Sequence, residues 1–234
     1  DNANIRRGFF SINALWKNKA AVLIGDYLLS KGLLLAVKNE EFNLLKIISG
    51  CVEEMSEGEL LQIEKSRKLD ITESIYFDII SKKTAALIGA CCESGACSTT
   101  QNVEFIKKMR LFGEKSGIAF QIKDDLLDYE KTSIIGKPSK IDIKEKKITL
   151  PLIYTLEKVS KNKRKEIIRI IETEESQSYF KVLETVQKEG GLIYAEKVMN
   201  RYKNEAKEVL DSFEDSEAKK SLLALLEYIV KRIK

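Results

Sequence analysis

Histidine is absent from all 234 residues. Its absence removes Ser-His-Asp nucleophile systems, imidazole acid–base catalysis and most zinc centres, whose ligand sets draw on imidazole. Any chemistry performed here must use carboxylates, lysines, arginines, amides, hydroxyls or the substrate itself. Proline is nearly missing too, with two residues, and glycine numbers only twelve. So few breakers, set among long apolar stretches of 3.6-residue period, leave little room for strands, and the class is all-α. The four cysteines, Cys51, Cys91, Cys92 and Cys97, form no C-x-x-C pair. On apolar helical patterns they read as buried small hydrophobes of a reducing cytoplasm.

Charge of one predominant sign is also lacking. Forty basic and 36 acidic residues leave a net charge of +4, and no basic stripe is interleaved with aromatics, so no nucleic-acid partner is implied. One domain is expected at this length, with 44% hydrophobic residues to build its core. The opening Asp1-Asn2-Ala3-Asn4 has neither an initiator Met nor the basic and apolar regions of a signal peptide, which suggests a cut within a longer protein. Residues 20–37 are apolar enough to raise the question of a membrane span. Asp26 and Lys31 answer it, because each charge at a membrane centre costs about 2.5–3.5 kcal/mol on insertion scales. A core helix without a transmembrane role is expected.

Local signals set the remaining helices. Ser11 or Asn13 caps the first, and a second runs over 42–67. Gly58 inside it costs about 1 kcal/mol relative to Ala, which implies close approach of another backbone or a ligand. One turn on, Gln62 is a candidate to hold metal-bound water. Asp70 or Thr72 starts a third helix, Glu73 being placed to complete a capping box with Asp70. Thr149-Leu150-Pro151 restarts a helix with Pro in its first turn. The charged stretch 158–178 reads as an exposed peripheral helix and loop, and Gly190-Gly191 breaks the chain before two closing helices over 193–213 and 216–233. The whole suits a helical bundle around a central cavity.

One stretch does not fit a packing account. Phe120-Gln121-Ile122-Lys123-Asp124-Asp125-Leu126-Leu127-Asp128 brings three carboxylates onto an apolar helix. Asp124 and Asp128 are i,i+4 neighbours and Asp125 is i,i+3 from Asp128, so like charges repel and something positive should compensate them. Two readings stand: a solvated helix face, or a set of hard oxygen ligands for Mg²⁺, which binds through one or two carboxylates and completes its shell with water and substrate phosphates. Eight residues later come Gly136-Lys137-Pro138, then Asp142, Lys147, Thr149, Leu150 and Pro151, placing lysines of a Gly/Pro loop beside the aspartates.

Here the chain resembles the trans-type polyprenyl diphosphate synthases, whose second aspartate-rich motif, F-Q-x-x-D-D-x-x-D, leads into G-K-P-x-G-x-D-x-x-x-x-K-x-T-L-P. The resemblance runs from Arg6-Arg7-Gly8 through Gly25-Asp26-Tyr27, Glu57-Gly58-Glu59, Lys83-Thr84 and Gly191-Tyr194-Ala195 to Leu222 and Arg232. It implies an isoprenoid synthase-like bundle, lacking its N-terminal helices, that condenses an allylic diphosphate with isopentenyl diphosphate by Mg²⁺-assisted ionisation, in a cytoplasmic homodimer. Asp1 falls at the last position of the family's first aspartate motif. The resemblance assigns Asp1, Asp124, Asp125 and Asp128 to the metal, with Asp125 supporting the other two. Arg6 and Arg7 face the two diphosphates, and Lys83, Lys137 and Lys147 hold the allylic one. Thr84 and Gln121 turn oxygens toward the cation, and Phe120 lines the tunnel of the growing chain. Lys140 and Lys146 stand where the family has glycines, which stiffens and charges the loop. A terpene cyclase or a non-catalytic subunit of a heteromeric synthase are the alternatives; Arg6-Arg7 and Gly136-Lys137-Pro138 oppose the first, and the Asp124-Asp125-Asp128 set opposes the second.

Overall fold

The computed structural model describes residues 5–6, 9–135, 148–173 and 179–233. Two compact units are defined by their internal packing, residues 1–49 and 50–234. The first holds a minimal antiparallel pair, β1 (Ile5–Arg6) and β2 (Phe9–Phe10), registered Ile5 to Phe10 and Arg6 to Phe9. This is a small exception to the expected absence of strands. Helix α1 (Ile12–Lys38) follows, and Ser11 caps it by accepting from the Ala14 amide at 3.1 Å. Among the described residues it is the one helix long and apolar enough to cross a membrane, with mean hydropathy 1.7. No residue of α1 is buried, so the expected core helix is corrected. Leu15, Trp16, Leu23, Leu28 and Leu35 all stay exposed, an apolar surface of the kind that marks an interaction site.

Helix α2 (Phe42–Lys68) crosses from the first unit into the second. The second unit continues with α3 (Glu73–Ile80), a π-helical turn (Ser81–Ala85), α4 (Ala86–Cys97), α5 (Val103–Ile135), α6 (Leu150–Lys158), α7 (Lys161–Glu172), α8 (Tyr179–Lys188), α9 (Gly191–Asp211) and α10 (Glu217–Lys231). Thr72, not Asp70, caps α3, accepting from the Ile75 amide at 3.3 Å. The capping box does not form, because both Glu73 carboxylate oxygens accept from the Tyr194 hydroxyl at 2.9 Å, linking α3 to α9. Burial and that contact push the Tyr194 phenol up to about 12. In α7 the isoleucines Ile167, Ile170 and Ile171 are buried, so the charged segment is amphipathic, not peripheral throughout. Cys51 alone of the four cysteines is buried; Cys91 is exposed, and Cys92 and Cys97 lie between.

The core gathers around α5, whose Ile118, Ala119, Ile122, Leu126 and Tyr129 are buried among side chains of α3, α6, α8, α9 and α10. Its opposite flank meets α4 through small residues. A Cβ at Gly113 would stand 2.6 Å from the Ile88 carbonyl oxygen and 2.7 Å from Gly89 Cα, and one at Gly117 would stand 2.6 Å from Ala85 Cα. The i,i+4 glycines thus let two backbones touch, as small residues do wherever helices pack closely. Arg110 of α5 ties the same region electrostatically, bonding Glu114, Glu93 of α4 and Glu54 of α2 at 2.7–2.9 Å. We expect Gly113→Ala to destabilise the protein by about 1–3 kcal/mol, since rigid backbone cannot yield to the added methyl. Gly95→Ala, in α4 with nothing within 4 Å, should stabilise by up to about 1 kcal/mol through helix propensity alone. Urea melts of the two variants check the seam; equal behaviour would show that the helices do not touch there.

Candidate active site

The π turn shapes the site. Single π turns inside helices re-aim side chains and recur at functional positions, and this one carries Lys82, Lys83 and Thr84 between α3 and α4. Helix α2 interlocks with it at Gly58, where a Cβ would stand 2.8 Å from both Lys82 Cβ and the Lys83 nitrogen. The backbone approach anticipated for Gly58 is therefore the π turn itself. On either side of that contact Glu57 pairs with Lys82 at 3.4 Å and Glu59 with Lys83 at 2.7 Å. The hydrogen bond to Glu57, aided by the field of Asp78, holds the exposed Lys82 ammonium above its ordinary pKa. Gln62 accepts from Lys83 Nζ at 3.0 Å, so its carboxamide oxygen holds the lysine.

Lys83 and Thr84 line a cleft of about 250 Å³ that also receives Gln62, Tyr76, Gln121 and Asp125. Within it, hydrogen bonds run in one direction. Thr84 Oγ1 donates to Gln121 Oε1 at 2.9 Å, and Gln121 Nε2 donates to Asp125 Oδ1 at 3.1 Å. The Tyr76 hydroxyl donates to Asp125 Oδ2 at 2.7 Å from the other side. Asp125 is only 4% exposed, and a buried carboxylate is tolerated only where hydrogen bonds replace its water. Both of its oxygens accept from protein donors.

Asp124 and Asp128 share the neighbouring face of α5 and are only partly buried. Asp124 Oδ1 accepts from Arg232 Nη2 at 2.6 Å. The same guanidinium nitrogen donates to the Phe120 carbonyl at 3.1 Å, and the group lies 3.9 Å from the centroid of the Phe120 ring. Phe120 therefore sits beneath Arg232 and is not among the residues lining the cleft. Arg232 marked only the far end of the family resemblance and was given no site role, because it lies 108 residues from Asp124. Of the other expected residues, Asp1, Arg7, Lys137 and Lys147 lie outside the described residues, as do Lys140 and Lys146, and for Arg6 only the backbone is described.

No group of three or more Asp, Glu, Cys or His side chains converges as metal ligands among the described residues. Mg²⁺ does not require one, because one or two carboxylates suffice when phosphate and water complete its shell. The all-oxygen pair Asp124 and Asp128 fits such an ion.

Comparison with known proteins places this architecture. Residues 1–188 match the polyprenyl synthetase family. A short chain isoprenyl diphosphate synthase of Methanothermobacter thermautotrophicus is 32% identical over 238 residues, covering 99% of this chain and 73% of its own. A decaprenyl diphosphate synthase structure from Rhodobacter capsulatus superposes with a TM-score of 0.92 at 31% identity, over 99% of this chain and 72% of that one. A polyprenyl synthase from Caulobacter crescentus CB15, complexed with calcium and isoprenyl diphosphate, superposes at 0.88 with 29% identity, over 99% and 71%. The fold and cleft are those of an all-α prenyltransferase. The chain belongs to the polyprenyl synthetase family.

The cleft's internal bonding is open to a direct check. Tyr76→Phe deletes the donor to Asp125 Oδ2 and leaves a buried carboxylate short of a partner. We expect a loss of about 1.5–3 kcal/mol, the range for hydrogen bonds to charged groups. Chemical denaturation reads it, and an unchanged midpoint would show that Asp125 does not depend on Tyr76.

Proposed function

We propose that the protein transfers the prenyl group of an allylic diphosphate to isopentenyl diphosphate, releasing pyrophosphate and a proton and lengthening the trans-polyprenyl chain by one isoprene unit. The observation that carries this reading is the fixed polarity of the Thr84–Gln121–Asp125–Tyr76 chain beside Lys83. Because Asp125 orients the Gln121 amide, Gln121 Oε1 is held toward Thr84 and accepts its hydroxyl hydrogen bond. Thr84 then presents only lone pairs to the cleft. A preorganised oxygen dipole of this kind stabilises positive charge developing on the allylic carbon without reorganising at the moment of reaction. Lys83 supplies the opposite sign for the leaving group. Its pair with Glu59 is about one-third to one-half exposed, and such pairs are worth about 0–1 kcal/mol, so a diphosphate can take over the ammonium.

Asp124 and Asp128 are the groups proposed to hold Mg²⁺, and the Caulobacter relative, complexed with calcium and isoprenyl diphosphate, supports the use of a divalent ion. When bound, the ion neutralises charge building on the departing pyrophosphate. Asp1, Arg6, Arg7, Lys137 and Lys147 complete the proposal as further metal and diphosphate ligands, following the family resemblance. The proton leaves to pyrophosphate, since no histidine exists to take it.

The test incubates purified protein with Mg²⁺, an allylic diphosphate and labelled isopentenyl diphosphate. Extractable label in a longer prenyl diphosphate is the expected result, and ionisation without incorporation would favour a cyclase. Lys83→Ala should lower kcat/KM for the allylic substrate by about 10²–10³, the scale for losing one preorganised electrostatic group. If that loss instead tracks a fall in melting temperature, Lys83 is structural.

A homodimer in the cytoplasm completes the reading. Its support is the apolar surface of α1 together with Asp26 at mid-helix, which disfavours a bilayer. Light scattering of the purified protein should give twice the chain mass of 26.6 kDa, and exchange of Leu28 and Leu35 for Glu should return it to one. A stable monomer would overturn the assembly without touching the chemistry.

A further inference from the structure

Three crowded aspartates need a positive counterpart whether or not a metal is present, and the structure shows which group serves Asp124. Arg232 ends α10 and turns its side chain onto one turn of α5, with three contacts on that turn: the Asp124 carboxylate at 2.6 Å, the Phe120 carbonyl at 3.1 Å and the Phe120 ring at 3.9 Å. Its side chain is 12% exposed, against 41% for Asp124. Nε is buried without a hydrogen-bond partner among the described residues. Leaving that atom desolvated is costly, and the charged hydrogen bond to Asp124 is what offsets the cost.

We infer that Arg232 is a resident counter-cation that shares the Asp124 carboxylate with the catalytic metal and makes metal binding depend on diphosphate. The inference rests on Asp124 being a metal ligand, as proposed above. A full positive charge bonded to Asp124 repels a second cation approaching that carboxylate, and low exposure limits the screening of that repulsion. Arg232 adds little to the placement of Asp124 by comparison, because the α5 backbone already fixes the residue and only two side-chain torsions remain. Diphosphate reverses the balance by bringing negative charge that attracts the metal and offsets the guanidinium. Arg232 thereby couples the two ligands: metal binds weakly alone and tightly with diphosphate, and linkage requires diphosphate to respond to metal by the same factor. In the metal-free protein the same residue relieves repulsion among the aspartates and anchors the chain's last helix to the site.

The test measures Mn²⁺ binding by electron paramagnetic resonance, with and without pyrophosphate, in the wild type, Arg232→Gln and Arg232→Lys. Glutamine keeps a donor for Asp124 without the charge; lysine keeps the charge without the planar fork. We expect the glutamine variant to bind Mn²⁺ alone about tenfold more tightly, with the pyrophosphate enhancement reduced by the same factor. The lysine variant should stay near wild type in both, and the metal-free glutamine variant should melt lower and recover with Mn²⁺. Unchanged or weaker Mn²⁺ binding by the glutamine variant overturns the inference, as does a lysine variant that behaves like glutamine. If the glutamine variant does not fold without metal, refolding in Mn²⁺ alone should rescue it, and failure of that rescue counts against the inference. Wild-type protein that binds no Mn²⁺ even with pyrophosphate would instead overturn the metal reading of Asp124 itself.

Discussion

The site depends on one buried carboxylate. Asp125 is inside the protein on the central helix, where an ionised group without partners costs several kcal/mol. Meeting that requirement recruits Tyr76 from α3 and Gln121 from the preceding turn of α5. Once Gln121 spends its amide hydrogens on Asp125, its carbonyl oxygen must face the other way, and Thr84 meets it there. The polarity of the cleft is a consequence of satisfying Asp125. The Thr84 hydroxyl is oriented by a carboxylate it does not touch.

That relay works only if the segment bearing Thr84 comes close enough to α5, and two close backbone approaches bring it there. Gly117 lets α5 touch Ala85 at the end of the π turn, and Gly58 lets α2 touch Lys82 and Lys83 on its other side. The π turn is clamped between two helices at glycines, and its side chains emerge beside the clamp. Glu57 and Glu59 then hold Lys82 and Lys83 in separate pairs. Packing and electrostatics reinforce one geometry here, since the residues flanking Gly58 are those that bind the flanks of the π turn.

Much of this was legible in the sequence where the cause is local. Ser11 as a cap, Pro151 in a first turn and the penalty at Gly58 each follow from a few neighbouring residues, and the structure shows all three. The carboxylate crowding at Asp124, Asp125 and Asp128 announced that compensation was needed but not from where. Arg232, Tyr76 and Tyr194 act across 108, 49 and 121 residues respectively, distances at which no sequence period carries information. The π turn had no signal either, because Lys82-Lys83-Thr84 suits an ordinary helix as well. Gly113 and Gly117 did carry one: an i,i+4 glycine pair in the middle of a long helix is costly unless a backbone lies against it. For α1 the apolar composition was read correctly, and the error lay in equating apolar with buried inside a single chain.

The three aspartates show why a motif does not fix a role by itself. They are chemically identical and lie within five residues, yet the helix turns each toward a different neighbourhood. Asp125 points into the core and accepts two neutral donors, which hold it in place. Asp124 points to the rim and meets a guanidinium. Asp128, one turn further on the same face, remains partly exposed. An ion approaching this edge therefore meets three unlike carboxylates: the buried Asp125, Asp124 shared with Arg232, and the partly exposed Asp128. Such a set favours a ligand that arrives with its own negative charge, because only a metal already paired with phosphate gains from the exposed aspartates without bearing the full repulsion of Arg232 and Lys83. On the proposed reading of the site, the joint entry of diphosphate and metal would follow from where one helix turns three equal side chains.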